Sequence, residues 1–332
     1  MSKAEIVCCA LLSCCCSLTA SAQQMNGLTG KRDTSFTTWS AYRKLAKQYP
    51  DARIVEPVLL PGVTAQMNVV YCNRSGRDLH LDAFYPAKAD RKELRPAVLI
   101  IHGGGWRSGD RSQHIPMAQR LAAAGYVAVT AEYRLSTEAL YPAAVHDLKA
   151  VIRWLRATAG QYAIDTNRIA TIGFSAGGQL AALLGASANV PALEGEGCYQ
   201  GHSSKVQAIV DIDGVLAFDH PESGEGDDSK STSAATYWFG GPKTQTLDRW
   251  HEASALTYAG QQTAPILFLN SSVDRMHAGR DDLRRELAAR GIYTEMHTFP
   301  DAPHIFCLLQ PWFEPTMAFI SQFLNKALAV KP

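Results

Sequence analysis

The 332-residue chain has no apolar run long enough to cross a bilayer, no block of basic residues, and a formal net charge of only +1. A membrane-spanning helix needs about 20 consecutive apolar residues, so no span is expected. Without clustered Lys and Arg there is no electrostatic footprint for nucleic acid or for an anionic membrane surface. No internal repeat is visible, and there is neither a C-x-x-C pair nor a Cys/His pattern with zinc spacing, so the common metal and dithiol chemistries are not signalled. No metal or organic cofactor is expected. The acidic run Asp219–Asp228 lacks EF-hand spacing and reads as a solvated loop rather than a calcium site.

Cysteine is scarce beyond the first 22 residues. Five of the eight cysteines (Cys8, Cys9, Cys14, Cys15, Cys16) fall within them. That opening segment reads as an export signal over residues 1–22: Lys3 in a short n-region, an apolar stretch from Ile6 to Leu18, and Ala20-Ser21-Ala22 as an A-x-A-like cleavage site before Gln23. Leu11-Leu12-Ser13-Cys14 loosely resembles a lipobox, so lipid anchoring is the alternative. Either route places the protein in the periplasm or outside the cell. Cys72, Cys198 and Cys307 remain, an odd number that leaves at least one free thiol. A pair between Cys198 and one of the others suits an oxidising compartment, and the sequence leaves the choice open.

What is present centres on Gly173-Phe174-Ser175-Ala176-Gly177-Gly178. An apolar, β-branched run, Arg168–Ile172, precedes it and a small-residue run, Gln179–Leu184, follows. Strand, G-x-S-x-G, then helix is the context of a nucleophile elbow, in which a sharp turn holds the serine hydroxyl out over the sheet edge. Upstream, Ala97–Ile101 reads as a buried strand running into His102-Gly103-Gly104-Gly105-Trp106. This is an H-G-G-G loop, whose backbone amides complete an oxyanion hole. Gly104, Gly105 and Ala176 are the expected oxyanion donors, with His102 organising the loop. Two motifs in this order, each at a strand end, predict an α/β-hydrolase fold: a mostly parallel central sheet with helices on both faces.

The rest of the chain fits that expectation. Residues 23–61 read as an N-terminal extension, with a short helix through Trp39, Tyr42 and Leu45 capped by Thr34 or Ser35. Residues 62–332 read as the hydrolase domain. It opens with a hairpin, Val63–Tyr71 and Leu79–Tyr85 around Asn73-Arg74-Ser75-Gly76. Further strands are expected at Tyr126–Glu132, Val206–Ile212, Ile266–Asn270 and Tyr293–Phe299, with helices between most of them. Pro142 opens the clearest helix, whose stripe is Val145, Leu148, Ile152 and Leu155. Tyr133-Arg134 and Asp147 are expected to tie sheet to helix. Residues 214–260 break the alternation and read as an inserted lid or substrate wall over the strand C-termini.

A serine nucleophile needs a base and a carboxylate that orients the base, in the chain order Ser, acid, His. His304, in the loop after the last strand, is the expected base. Asp274, just past the strand ending at Asn270, is the expected acid, with Asp281 as the alternative. Trp106, Arg107, His277 and Arg280 are the candidate substrate contacts. Arg107 follows the oxyanion loop and Arg280 follows the strand bearing the acid. Either guanidinium suits a substrate carboxylate.

His102–Trp106, Ala131–Ser136, Tyr141–Asp147 and Gly173–Gly178 resemble the α/β-hydrolase carbohydrate esterases related to acetyl-xylan and feruloyl esterases. Trp106–Asp110, Asp211-Ile212-Asp213-Gly214, His220–Asp228, His277–Asp282 and Pro303-His304 through Pro311–Phe313 are similar to exported Bacteroidetes pectin methylesterases that act on rhamnogalacturonan. The resemblance runs from about Asp33 to the C-terminus. It implies a serine esterase that hydrolyses methyl esters of pectin, a plant cell-wall polysaccharide, through an acyl-enzyme. An acetylesterase on acetylated pectin or xylan is the alternative within enzymes, and a non-catalytic binding protein on the same scaffold is the alternative outside them. In similar sequences the segment matching His277–Asp282 occurs even where no acid matches Asp274, which is why Asp281 stays open as the acid.

Overall fold

A computed structural model describes residues 27–58, 60–87 and 93–329. The export signal lies outside these residues. The apolar runs form one eight-stranded sheet, in the order β2 (Val63–Arg74), β3 (Arg77–Pro86), β5 (Val127–Ala131), β4 (Arg95–Ile101), β6 (Ile164–Phe174), β7 (Ala208–Ile212), β8 (Ile266–Asn270), β9 (Thr294–Thr298). The front hairpin pairs antiparallel, as does β3 with β5, and every pair from β5 to β9 is parallel.

Both faces of the sheet are apolar because both are covered. Along β4, Ala97, Leu99 and Ile101 point into one core, while Val98 and Ile100 point into the other. The first core takes Val145, Leu148, Ile152 and Leu155 of the Ala143–Ala157 helix, together with the Ala176–Ala186 helix, every residue of which is buried. The second takes Met117 and Leu121 of the Ile115–Ala123 helix, and Ile320, Phe323 and Leu324 of the C-terminal Phe313–Ala327 helix. The sheet and its two helical layers form the expected α/β-hydrolase architecture.

Local details differ from the sequence reading. The N-terminal helix is Thr38–Leu45, and its cap is Thr37 rather than Thr34 or Ser35. Thr37 Oγ accepts from the Ser40 amide and Ser40 Oγ accepts from the Thr37 amide, a reciprocal box that satisfies two amides at once. Pro142 caps the Ala143–Ala157 helix rather than opening it. A small sheet pairs β1 (Arg53–Ile54) antiparallel with β10 (Leu309–Gln310), so the N-terminal segment is fastened beside the chain that leaves His304. Arg134 grips the buried Asp147 with two bonds of 2.8 Å, the expected tie between strand end and helix.

Cys72 and Cys198 form a disulfide, and Cys307 is free and buried. The bond joins positions 126 residues apart. In the chain-entropy picture, restricting so long a loop in the unfolded chain is worth about 4–5 kcal/mol.

Candidate active site

Ser175 sits between β6 and the Ala176–Ala186 helix at φ 57°, ψ −121°. A non-glycine residue there is strained, by about 1–3 kcal/mol, and persists only where its surroundings over-determine it. They do so in two ways. The Ser175 amide donates to the Ile212 carbonyl at 2.8 Å, fastening the elbow to β7. The next turn presses against β4: a Cβ on Gly177 would lie 2.2 Å from the Ile101 carbonyl oxygen, so only glycine fits.

His304 completes the arrangement. Its Nε2 lies 2.9 Å from Ser175 Oγ, and its Nδ1 lies 2.9 Å from Oδ2 of Asp213. Asp213 is fully buried and follows β7 directly. Its Oδ1 accepts from the Ser271 amide at 2.8 Å, and its own amide donates to the Leu269 carbonyl at 3.0 Å. With Asp213 accepting at Nδ1, the neutral imidazole presents Nε2 as an acceptor for the serine proton.

The carboxylate on His304 is therefore neither Asp274 nor Asp281. Asp274 is 99% exposed in a 3-10 turn, and it faces the His277 ring at 3.8 Å. Asp281, 65% exposed at a helix start, pairs with Arg280 at 2.9 Å and Arg284 at 3.8 Å. The strand expected to carry the acid supplies a backbone amide to it instead. The signal for Asp213 was an acidic residue at the end of the apolar strand beside the nucleophile strand. Two residues back, burial first and the Asp213 charge second push the Asp211 carboxyl well above its usual range.

The oxyanion loop leaves β4 through Gly104 at φ 125°, Gly105 at φ 60° and Trp106 at φ 55°. A Cβ on Gly104 would sit 1.9 Å from the Ser108 carbonyl oxygen. Ala176 begins the helix after Ser175, where first-turn amides lack intrahelical acceptors and the dipole favours negative charge. Gly105 and Ala176 line one cavity of about 190 Å³ with Ser175 and His304. Its other walls are Trp106, Val215, Glu225, Ala234, Arg275 and Met276.

Of the four expected substrate contacts, Trp106 alone is among these walls. Its indole donates to Gln179 Oε1 at 2.8 Å and stacks on Trp238 of the insertion, with centroids 4.9 Å apart. Arg107 lies 4.1 Å over the Tyr237 ring and bonds the Gly27 carbonyl. Arg280 is held by Asp281 and by Asn270 Oδ1 at 2.9 Å, and His277 faces Asp274. Glu225 and Arg275 reach the cavity without having been expected there.

The family described as BD-FAE matches residues 81–278, more than half of the chain. The chain belongs to the BD-FAE family. It is 30% identical over 243 residues to Esterase LipC of Mycobacterium tuberculosis, covering 70% of this chain and 58% of LipC. The chain thus spans little more than half of that relative. A truncated carbohydrate esterase from gut microbiota has the same fold, with a TM-score of 0.66 and 23% identity over 81% of this chain and 99% of that one. A bifunctional GH43-CE protein of Bacteroides eggerthii gives a TM-score of 0.66 and 25% identity over 79% of this chain and 38% of that one.

Behind the oxyanion loop of this BD-FAE member lie two buried histidines. His102 Nδ1 bonds the Gly103 carbonyl at 2.9 Å, and its ring stacks on Tyr133. Neither ring nitrogen of His114 has a partner among the described residues. Burial lowers His102 to about 4 and His114 to about 3, so both are neutral in the fold. Unfolded histidine titrates near 6.5. Between that value and the folded ones the unfolded chain binds more protons, so stability is full above about pH 6.5 and falls as pH drops toward 4. Urea midpoints should decline from pH 7 to pH 5, and His114→Leu should make the decline shallower. An unchanged slope in that variant would show that His114 does not contribute.

Proposed function

We propose that this chain is a serine carboxylic ester hydrolase that acts on carbohydrate esters, with methyl-esterified pectin as substrate. The observation that carries the reading is the continuous chain Ser175–His304–Asp213, with Gly105 and Ala176 beside the serine. Ser175 Oγ attacks the ester carbonyl while His304 takes its proton and then gives it to the departing alcohol. Water attacks the resulting acyl-enzyme by the same route. Asp213 holds the imidazole in the needed tautomer and stabilises the imidazolium. The amides of Ala176 and of Gly104 or Gly105 meet the developing oxyanion; losing one such donor costs about 3 kcal/mol of barrier.

The carbohydrate part of the reading is supported by the solved neighbours named as carbohydrate esterases and by the stretches that resemble pectin methylesterases. The cavity itself favours a second reading. At about 190 Å³ it is smaller than the roughly 300–1,000 Å³ typical of ligand sites, which suits an acetyl group on Ser175 with the sugar outside. Export is part of the proposal. The Cys72–Cys198 disulfide supports it, because such bonds persist in oxidising compartments.

Ser175→Ala and His304→Ala are each expected to abolish nearly all esterase turnover, and the double variant to lose little more, because the two groups act as a unit. Asp213→Asn should cost about four orders of magnitude, as in the serine-protease precedent, while Asp274→Asn and Asp281→Asn stay near wild type. The reverse ranking would return the acid role to the exposed aspartates. Digestion of a pectin that is both methylated and acetylated should release methanol; acetate without methanol would select the acetylesterase reading. Intact mass of the exported protein should start at Gln23, and a lipidated Cys14 would replace that route with anchoring.

A further inference from the structure

We propose that Arg275, with Glu225 as its resting partner, is the subsite that recognises a carboxylate on the substrate, so that a neutral ester sits beside Ser175 while a neighbouring anionic sugar lies outside the cavity against the exposed face of Arg275. This rests on the carbohydrate-ester reading. The two residues arrive from different elements: Arg275 from the Asp274–His277 turn after β8, and Glu225 from the insertion. Both line the same cavity as Ser175 and His304.

The state of the guanidinium is what points to a ligand. Its one contact with Glu225 is Nη1 to Oε1 at 3.5 Å, beyond the usual 2.7–3.2 Å of such bonds. The Arg275 side chain is 55% exposed, against 14% for Glu225. Elsewhere in this chain arginines close tightly on their acids: Arg134 holds Asp147 with two bonds of 2.8 Å, and Arg280 holds Asp281 at 2.9 and 3.2 Å. Arg107 and Arg280 are engaged away from the cavity. Arg275 is thus a guanidinium at the cavity with most of its planar fork unspent among the described residues, and that fork matches a carboxylate oxygen for oxygen. Its stem runs close along Gly224, where an added Cβ would meet Arg275 Cδ at 3.2 Å. The insertion therefore orients the fork as well as supplying its resting partner.

Glu225 has the complementary effect. Burial raises its carboxyl above the usual range, against the pull of Arg275, because taking a carboxylate out of water disfavours its charged form. An uncharged ester fits beside it.

The test is binding, measured by calorimetry on Ser175→Ala protein with two ligands: trigalacturonate carrying one methyl ester, and its fully methylated, neutral counterpart. The parent should hold the acidic ligand about tenfold or more tighter, the size of a charge-assisted pair. Arg275→Ala should erase that preference. Arg275→Lys should restore part of it, because an ammonium cannot pair with both oxygens. Glu225→Gln should strengthen it. A preference that survives Arg275→Ala, equal losses on both ligands, or a weaker preference in Glu225→Gln would overturn the assignment and leave the esterase reading standing. Binding of neither ligand by the parent would overturn the uronate reading, and the assignment with it.

Discussion

The 2.8 Å bond from the Ser175 amide to the Ile212 carbonyl fastens a strained residue to the neighbouring strand, and the site depends on that fastening. Ile212 is the last residue of β7, so the very next residue, Asp213, is placed by the same strand end that holds the serine. Asp213 is in turn locked by β8, through the Leu269 carbonyl and the Ser271 amide. Three adjacent parallel strands thereby set Asp213 and Ser175 relative to each other, through two backbone bonds and the Ser271 amide on the Asp213 carboxylate. His304 bridges them from a loop, and its ring packs on Phe174. Because the ladder bonds belong to the sheet, the positions of Ser175 and Asp213 are as rigid as the core itself.

The order of elements was readable because it rests on local signals. Runs such as Val98–Ile101 and Val127–Ala131 are apolar on both faces, as buried parallel strands must be, and glycine-rich turns mark where they end. Ser175, His304 and the loop of Gly104 and Gly105 carry their own chemistry in their neighbours. Asp213 does not. In sequence it is one of two acids in Asp211-Ile212-Asp213-Gly214, and nothing local says which of the two takes the histidine. That choice is made across the sheet, by the Ser271 amide that reaches Oδ1. Asp274 had the right order and the right offset from a strand, yet the 3-10 turn leaves it in solvent. Chain position constrains which strand end is near the histidine, but several strand ends satisfy it.

The arginines fail for the same reason in reverse. Arg107 and Arg280 lie near the strand C-termini, as their positions suggest, but proximity does not set direction. Tyr237 and the Asn270–Asp281 pair draw their guanidinium groups away from the cavity. Which cation is left for a ligand depends on which ones the fold has already used, and that is a property of packing rather than of sequence order.

The insertion changes meaning in this light. Trp238 stacks on Trp106, Phe218 packs edge-on to Phe239 and Trp250, and the buried Gln179 links the Trp106 indole to the Ala253 carbonyl at 2.8 Å. Each aromatic pair adds about 0.5–1.5 kcal/mol beyond its burial, and truncating Gln179 would leave a buried indole donor unpaired. The apolar side of this segment is therefore continuous with the main core. Its residues Val215, Glu225 and Ala234 form part of the cavity wall. A wall held this way fixes cavity size through its interior and leaves charge selection to the residues at its edge. Glu225 lies on that edge, facing Arg275 across the space where Ser175 opens.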